Sequence, residues 1–421
     1  MEQYWKFTIA SLVGVALFAF DFELFLVSIP GLISLFGLTL PEITLIVDIS
    51  FAVSAIAAFT VGWLSDRYGR KLMFMITILV YSIGSFFTGL STTVMSFIYS
   101  RGFTSIGMGP DEPLGFTLTA ETAPPEKRGF QMMIVSLGFP IGQAVGSAVV
   151  YLFTLESIYL PYVFFIGVLP ALFLLYLRKS LPETERFEDL KKAKAIISQG
   201  KSASTKYDAD VAKSLKDPYL QMFDTDLRRK SILMAIYTLI VAGSVAVSLI
   251  ALPLYYIYVK NLTFVSTLLF EFISFGLAAL GYVVVAMIGN KIGRRNIILI
   301  GLLLTAVSLI GIIVSTTPGQ VLVFNILFIF FLFSQWAAWP FYLNEMFPTR
   351  VRATASNFGY AFQWIGNIIL PTAILTLVSV DSWGWTQAIV ALVFIPIIFC
   401  ILVVGLLPVD HPMETLEANA I

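Results

Sequence analysis

The sequence predicts an all-α polytopic membrane protein with twelve transmembrane helices in two pseudo-symmetric six-helix bundles. Its composition, its recurring apolar runs and an internal repeat support this prediction. Of the 421 residues, 58% are hydrophobic and 12% are charged, and the mean hydropathy is +0.89. A soluble domain usually carries about 25% charged residues. Apolar runs of about 20 residues, long enough to cross a hydrocarbon layer of roughly 30 Å, recur along the whole chain.

The twelve predicted spans are taken from the apolar runs between polar breaks. They cover, in order, residues 7–36, 42–64, 72–91, 95–119, 130–154, 158–179, 231–259, 263–289, 296–316, 319–343, 353–380 and 382–407. A charged and mostly polar segment separates two sets of six. The predicted organisation is therefore an N-terminal bundle, a cytoplasmic linker, a C-terminal bundle and a cytoplasmic tail, at residues 1–180, 181–230, 231–408 and 409–421.

The basic residues predict the orientation of these spans. All but two of the 26 Lys and Arg lie at the N-terminus, in the loops after spans two, four, eight and ten, or in the middle segment and its flanks. The exceptions are Arg101 and Lys260. Because cytoplasmic loops carry an excess of Lys and Arg, we expect both termini in the cytoplasm of a multi-pass plasma-membrane protein.

An internal repeat relates the two sets of spans. GWLSDRYGRK (62–71) follows span two and NKIGRRN (290–296) follows span eight; ETAPPEKRG (121–129) follows span four and EMFPTRVRA (345–353) follows span ten. Equivalent residues in both pairs of motifs are 224 positions apart, as Gly69 and Gly293 are. Duplicated six-span halves are the layout of alternating-access carriers, which bind their substrate between the repeats.

Other functional classes lack support. The net charge is zero, which gives no reason to expect a nucleic-acid partner. With one cysteine, Cys400, and one histidine, His411, the chain has no disulfide framework, no cysteine metal site and no basis for histidine catalysis. The first apolar run is too long for a cleavable signal peptide. We therefore expect no enzyme, metal or cofactor. The expected partners are a small-molecule substrate and the bilayer, and we expect a monomer.

The repeated motifs resemble those of the major facilitator superfamily over essentially the whole chain. The basic, glycine-containing loops after spans two and eight are the most specific part of this resemblance. Asn290 replaces the acid of the first copy, so we expect a weaker contact there. The resemblance implies a cytoplasmic gate formed by Gly62, Asp66, Arg67, Gly69, Arg70, Glu121, Arg128, Gly293, Arg294, Glu345 and Arg352.

Within that superfamily, the sugar-porter family is most similar. PETERF (182–187) looks like its motif after span six, and FEDLKKAKAII (187–197) has the pattern of an amphipathic cytoplasmic helix. LFAFD (17–21) matches the LFGYD of proton-coupled members, which places Asp21 on their first-span aspartate. Arg101 stands where they have a fourth-span arginine. The resemblance implies that the Asp21–Arg101 pair couples protonation to transport.

The same resemblance implies a set of substrate contacts, with departures. Phe18, Gln143, Gln363, Trp364 and Asn367 match substrate-binding positions. The paired tyrosines of span seven are present, Tyr255 included, but VAVSLIA (245–251) replaces the amides that should precede them. Ser136 replaces a second glutamine of span five, and Pro340 holds the place of a tryptophan, which leaves Trp339 as the nearby candidate. Several partners for a hexose are therefore missing.

Six acids lie at predicted membrane depth: Asp21, Glu23, Asp48, Asp111, Glu112 and Glu271. An ionised group at the bilayer centre costs about 2.5–3.5 kcal/mol on insertion scales, so each is a functional candidate. At about 1.5 Å per residue, Asp21 and Arg101 both fall in the outer half of the membrane and can pair. Asp48 is level with them and could compete, whereas Asp111 is too deep.

Helical geometry separates the acids of FAFDFELF (18–25). Two residues apart is about 200° on a helix, so Asp21 and Glu23 point to opposite sides. We interpret Asp21 as the proton site. For Glu23, substrate contact and a buried structural role remain open, as do substrate or cation contact and a neutral helix-bridging role for Glu271.

The sequence thus predicts a proton-coupled symporter of a small polar organic solute, a sugar or a sugar-like metabolite. A facilitative uniporter and a proton-antiporting exporter of organic acids or other organic compounds remain alternatives. A non-transporting nutrient receptor is disfavoured, because such receptors usually have a long signalling extension.

Overall fold

The computed structural model describes residues 3–156, 158–169, 176, 181–199, 217–379 and 383–409. The helices of the first half keep the span names used above. Span one is Gln3–Phe36, span two Leu40–Tyr68, span three Arg70–Gly89 and span four Val94–Thr122, while span five consists of Pro125–Ser136 and Gly138–Leu155. Span six begins as a 3₁₀ helix, Leu160–Val168, and most of its remainder lies outside the described residues.

The second half repeats this arrangement after a linker. The linker contains the helices Glu185–Ser198 and Pro218–Met222. Span seven is Arg228–Tyr258, span eight Phe264–Ile292, span nine Arg294–Val314, span ten Pro318–Met346 and span eleven Arg352–Ser379, and span twelve runs through Trp385–Ile389, a π-helical turn Val390–Phe394 and Ile395–Gly405. The predicted tail lies outside the described residues apart from Val409, and so does the middle of the linker, 200–216.

Ten helices in the described part of the chain are long and apolar enough to cross a membrane. Span four does not meet that criterion although it is 29 residues long, because Arg101, Asp111, Glu112 and Glu121 reduce its hydropathy. The sixth predicted span is only partly described. Together with these two segments, the ten helices fit the predicted twelve.

Predicted and observed boundaries differ mainly at the helix ends. Span one begins at Gln3 and span two continues to Tyr68, because amphipathic residues at the membrane surface extend the helices beyond their apolar runs. Span five is interrupted at Leu137, which the apolar pattern gave no reason to expect. In contrast, the helix Glu185–Ser198 covers the segment predicted to be amphipathic.

The loops at the two ends of the bundle differ in chemistry. We call the end that carries the loops after spans two, four, eight and ten the basic end, and the opposite end the far end. At the far end, three helices begin with neutral caps: Thr93, Thr263 and Thr317 accept hydrogen bonds from the amides of Ser96, Ser266 and Gln320. At the basic end, Gly69 and Gly293 join consecutive spans with φ of 126° and 88°, a conformation that favours glycine.

The two halves contact each other mainly through two pairs of spans, and span four adds contacts with spans ten and eleven. Span two packs on span eleven, and span five packs on span eight. Within the first half, span five packs tightly against span one. A Cβ atom added at Gly142 would lie 2.2 Å from the carbonyl oxygen of Ala16, and one at Gly138 would lie 2.6 Å from that of Leu12. These glycines therefore allow the close helix approach expected of small residues at four-residue spacing.

Candidate functional site

A buried ion pair joins spans one and four. Arg101 Nη1 lies 3.0 Å from Asp21 Oδ2, and both side chains are almost completely buried. The guanidinium carbon of Arg101 lies 4.6 Å from the ring centre of Phe25 and 5.3 Å from that of Phe164. These rings shield the charge from other partners and favour a single position for it.

Asp21 has a second partner that the sequence did not indicate. The hydroxyl of Ser85 in span three donates to Asp21 Oδ1, and the carbonyl oxygen of Phe164 lies 3.1 Å from the same hydroxyl oxygen as an alternative acceptor. Asp21 is thus held by one charge and one hydroxyl from two different helices. Protonation of its carboxyl would weaken the ion pair and leave a buried guanidinium uncompensated.

Glu23 faces away from this pair, as the helical angle predicts. Ser147 Oγ donates to Glu23 Oε1 at 2.8 Å and Gln143 Nε2 donates to Glu23 Oε2 at 3.3 Å. Both donors come from span five, whose Gly146 packs against the Glu23 side chain. Both side chains donate to the carboxyl group and hold it against span five.

A cavity of about 400 Å³ lies between the two halves towards the far end. Its walls are the outer parts of spans one, seven and eight, the start of span two and one residue of span eleven. Most of the lining side chains are aliphatic. The polar side chains in the lining are Glu23, Tyr258, Thr267 and Glu271. The cavity therefore has an apolar body with a carboxyl group contributed by each half.

A smaller cavity of about 30 Å³ lies next to it, and Leu249 lines both. It contains Gln363 and Asn367 of span eleven together with Phe22, Phe139 and Trp336. In the amide orientation that satisfies its neighbours, Asn367 donates to the carbonyl oxygen of Ala242 at 2.9 Å. Aromatic and aliphatic side chains thus surround the two amides that the sequence singled out.

Below these cavities, aromatic rings close the centre of the bundle. Trp364 packs on Phe51 and Phe22 with ring centres 5.4 Å and 5.8 Å apart, and Phe18 contacts it edge-on at 6.4 Å. Trp364 Nε1 also donates to the carbonyl oxygen of Gly109 at 3.2 Å. This cluster joins spans one, two, four and eleven, so it connects the two halves.

Two other predicted substrate contacts do not line either cavity. Tyr255 packs on Tyr256 and has the ammonium of Lys260 5.4 Å from its ring centre. Trp339 packs on Tyr237 with ring centres 4.2 Å apart, on the basic-end side of the structure. Their role in substrate binding stays a prediction.

The remaining acids of the spans have other partners. Both carboxyl oxygens of Asp48 accept from Thr372 Oγ1 at 3.0 Å, a contact between the halves. Asp111 accepts from Thr77 Oγ1 at 3.0 Å and Glu112 from the Tyr360 hydroxyl at 3.3 Å. Asp48 therefore does not compete with Asp21 for Arg101 in this structure.

At the basic end, charged residues connect the halves in what we call the basic-end latch: Asp66, Arg70, Glu121, Arg352 and Thr354. Asp66 Oδ2 accepts from the amide and the hydroxyl of Thr354, both at 2.7 Å, at the start of span eleven. An acid at a helix N-terminus satisfies free amides and interacts favourably with the helix dipole. Asp66 Oδ1 also pairs with Arg70 at 2.8 Å.

Glu121 holds the other part of the latch. Arg70 Nη2 lies 3.3 Å and Arg352 Nη1 3.7 Å from Glu121 Oε1, so one carboxylate bridges arginines of both halves. Arg70 also donates to the carbonyl oxygen of Thr349 at 3.3 Å. The second copy of the motif has the equivalent pair, with Arg294 Nε 3.4 Å from Glu345 Oε2.

The PETERF segment packs on this latch. Thr184 Oγ1 donates to Glu121 Oε2 at 2.8 Å, and Phe187 stacks 4.7 Å from the Arg70 guanidinium. The amide of Lys71 donates to Glu183, and burial raises the pKa of the Glu183 carboxyl. The linker thus covers the first-half arginine and its partners.

Three other residues that the sequence assigned to the cytoplasmic gate, Gly62, Arg67 and Arg128, are not part of the latch. A Cβ atom at Gly62 would lie 2.5 Å from Asn357 Cβ, so the absence of a side chain permits spans two and eleven to touch. Arg67 instead stacks on Trp63 at 5.2 Å. Arg128 is buried.

Several residues of these sites had no sequence signal that singled them out. Ser85, Ser147, Thr184 and Thr354 each bind a carboxylate, and a serine or threonine in a span usually bonds only to its own helix. Thr354 could have been found from its position in the first turn of span eleven. Among the described residues, no group of three His, Cys, Asp or Glu side chains could hold a metal ion.

Comparisons with known proteins agree with this architecture. The model of the family described as "Sugar (and other) transporter" matches residues 8–408. A Bacillus subtilis protein named as a niacin/nicotinamide transporter is 28% identical over 83% of this chain and 83% of its own length. A Cupriavidus pinatubonensis protein named as a 4-methylmuconolactone transporter is 26% identical over 82% of this chain and 77% of its own.

Among solved structures, the proton:xylose symporter XylE bound to 6-bromo-6-deoxy-D-glucose has a TM-score of 0.78. It is 19% identical in sequence, and the match covers 99% of this chain and 98% of that one. The predicted fold class of twelve helices in two related bundles is thereby confirmed.

Proposed function

The chain belongs to the sugar (and other) transporter family of the major facilitator superfamily, and on that premise we propose that it is a proton-coupled symporter of a small organic solute. Members of this family are multi-span membrane transporters and not enzymes. Beyond family membership, we propose that protons are the coupling ion, that they move in the same direction as the solute, and that the solute is a small organic molecule.

The observation that carries the proposal is the buried ion pair between Asp21 and Arg101, at 3.0 Å. Removing one partner of a buried pair costs about 3–5 kcal/mol, because the other charge is left uncompensated. Protonation of Asp21 has that effect on Arg101. A proton that reaches Asp21 therefore destabilises the packing of spans one, three and four in this state and permits the carrier to change state.

The orientation of the chain in the membrane determines the proposed direction of transport. We propose that the basic end faces the cytoplasm, in keeping with the positive-inside rule. The latch of Asp66, Arg70 and Glu121 then closes the cytoplasmic side, while the 400 Å³ cavity lies on the outer side. This state takes up solute and protons from outside, and opening of the latch releases both inside.

The solute is smaller or less polar than a hexose in this proposal. The cavity is mainly aliphatic, and the amides of Gln363 and Asn367 lie in a neighbouring space of only about 30 Å³. The relatives described above are named as transporters of niacin or nicotinamide and of a methylmuconolactone, which are small ring compounds. A compact molecule with an apolar ring fits both the cavity and these relatives.

A proton-antiporting exporter is the second candidate, and the apolar cavity is the observation that favours it. The same acids would then exchange protons for the solute instead of binding both together. The two mechanisms predict opposite responses to a pH gradient.

Proteoliposome flux distinguishes them. Vesicles containing the wild-type protein are loaded with buffer at pH 7.5 or 6.5 and diluted into buffer of the other pH. Each radiolabelled solute is supplied separately: nicotinamide, nicotinate, a muconolactone, xylose or phenethylamine. Symport predicts accumulation when the outside is acidic, in protein-containing but not in protein-free vesicles. Accumulation of the solute only when the interior is acidic supports the antiporter. Equilibration of the solute at a rate independent of the pH gradient supports a uniporter. Either of these two outcomes overturns the proposal.

A further inference from the structure

The most informative unexplained feature is a pair of carboxyl groups that faces the large cavity from opposite halves. Glu23 lies on span one and Glu271 on span eight, and both line the 400 Å³ cavity. Their side chains are buried, at 4% and 7% exposure.

Within the described part of the chain, one carboxyl oxygen of Glu271 is buried without a partner that would explain its burial. Its Oε2 has no hydrogen-bond partner among the described residues. A buried polar group without a partner costs about 1–3 kcal/mol, and more when it is charged. Because Glu271 also lines the cavity, a ligand bound there can supply the missing contact.

Glu23 differs from Glu271 because both of its carboxyl oxygens accept hydrogen bonds, but it also lines the cavity. Ser147 and Gln143 donate to its two oxygens and fix the carboxyl group against span five. These donors orient the group without adding a positive charge. Arg101 does not supply one, because it is paired with Asp21 on the other side of span one.

None of the described residues that line the cavity is Lys, Arg or His. A ligand carboxylate would meet two carboxyl groups there and no counter-charge, and like charges brought together are destabilising. An ammonium group would instead supply donors to both acids. The surrounding aliphatic residues, including Leu26, Ile33 and Leu254, suit an apolar ligand body.

We propose that Glu23 and Glu271 form a two-carboxylate site for the ammonium group of a small amphipathic amine, whose apolar body occupies the aliphatic part of the cavity. This inference rests on the proposed transport function and names the class of solute. Because the carboxyl groups belong to different halves, an amine held by both draws the outer ends of the halves together. Binding thereby favours closure of the far end, as alternating access requires.

The test compares isosteric probes on the purified wild-type protein by isothermal titration calorimetry. Benzylammonium, phenethylammonium and cyclohexylmethylammonium are paired with benzyl alcohol, phenethyl alcohol and cyclohexylmethanol, and with benzoate as the anion. We expect at least one ammonium ion to bind at least about tenfold more tightly than its alcohol, and benzoate not to bind. If all three ammonium ions fail to bind, or an alcohol or benzoate binds as tightly, the proposal is overturned.

Variants of the two acids test whether the ammonium ion binds at the proposed site. Glu271→Gln and Glu23→Gln should each weaken ammonium binding by about tenfold or more, since each removes one charge from a desolvated contact. Glu42→Gln is the matched control, because Glu42 caps the start of span two at the same end and does not line the cavity. Equal affinity in Glu271→Gln and wild type would contradict the site. The comparison of isosteres uses only wild type, so a variant that fails to fold does not remove the test.

Flux separates this inference from the proposed function. If ammonium ions do not bind while another solute accumulates with an acidic exterior, the cation site is wrong and proton symport stands. If ammonium ions bind as expected but no solute responds to the pH gradient, the site stands and the coupling is wrong.

Discussion

Asp66 of span two caps the start of span eleven, where its Oδ2 accepts from both the amide and the hydroxyl of Thr354 at 2.7 Å. This one carboxylate connects the two halves at the basic end and also pairs with Arg70. The closed basic end therefore depends on contacts that a neutral side chain cannot reproduce in full.

Asp66→Asn should weaken the closed basic end. Hydrogen bonds to charged groups contribute about 1.5–3 kcal/mol, so we expect the population with an open basic end to rise by roughly tenfold or more. Double electron–electron resonance between labels on the loops after spans four and ten measures that population. Glu126→Gln, an exposed acid at the same end, is the control and should leave the distances unchanged. An unaltered distribution in Asp66→Asn would contradict the role of the latch.

Gly62→Ala tests the close approach of the two halves by shape alone. The added Cβ would lie 2.5 Å from Asn357 Cβ, which no real contact allows, so spans two and eleven must separate. We expect faster reaction of a thiol reagent with a cysteine introduced at the basic end. Gly276→Ala is the matched control, because a Cβ there meets nothing within 4 Å. Equal reactivity in the two variants would show that the approach is not required.

Gly142→Leu should destabilise the first half. Its Cβ would lie 2.2 Å from the backbone oxygen of Ala16, and backbone cannot move aside as a side chain can. Overpacking of this kind costs about 1–3 kcal/mol or more, so the thermal midpoint in detergent should fall by several degrees. Gly102→Leu places the same side chain in open space and should have little effect. A smaller loss in Gly142→Leu than in Gly102→Leu would argue against tight packing there.

Much of the fold could be predicted because its signals are local. Apolar runs indicated the helices, and the 224-residue offset related Arg70 and Glu121 to Arg294 and Glu345, which form equivalent ion pairs in the structure. Span four was found from sequence although its polar residues lower its hydropathy. The break at Leu137 and the π-helical turn of span twelve depend on packing between helices, which the pattern of one helix does not contain.

The site was predictable only in part, for a related reason. Depth along the helices was enough to bring Asp21 and Arg101 to the same level, and helical angle separated Asp21 from Glu23. Contacts between helices, such as Ser85 with Asp21 and Ser147 with Glu23, depend on rotation and crossing angle. The aliphatic cavity depends on how both halves pack, so it could not be derived from either half alone.

The most direct test of proton coupling is the flux of Asp21→Asn, which cannot lose a proton but keeps the shape of the side chain. For a solute that wild type accumulates with an acidic exterior, we expect the variant to exchange it across the membrane at equal pH but not to concentrate it. Thr372→Val, which removes the partner of a different acid, Asp48, serves as the control and should still concentrate it. If Asp21→Asn accumulates the solute as wild type does, Asp21 is not the coupling site.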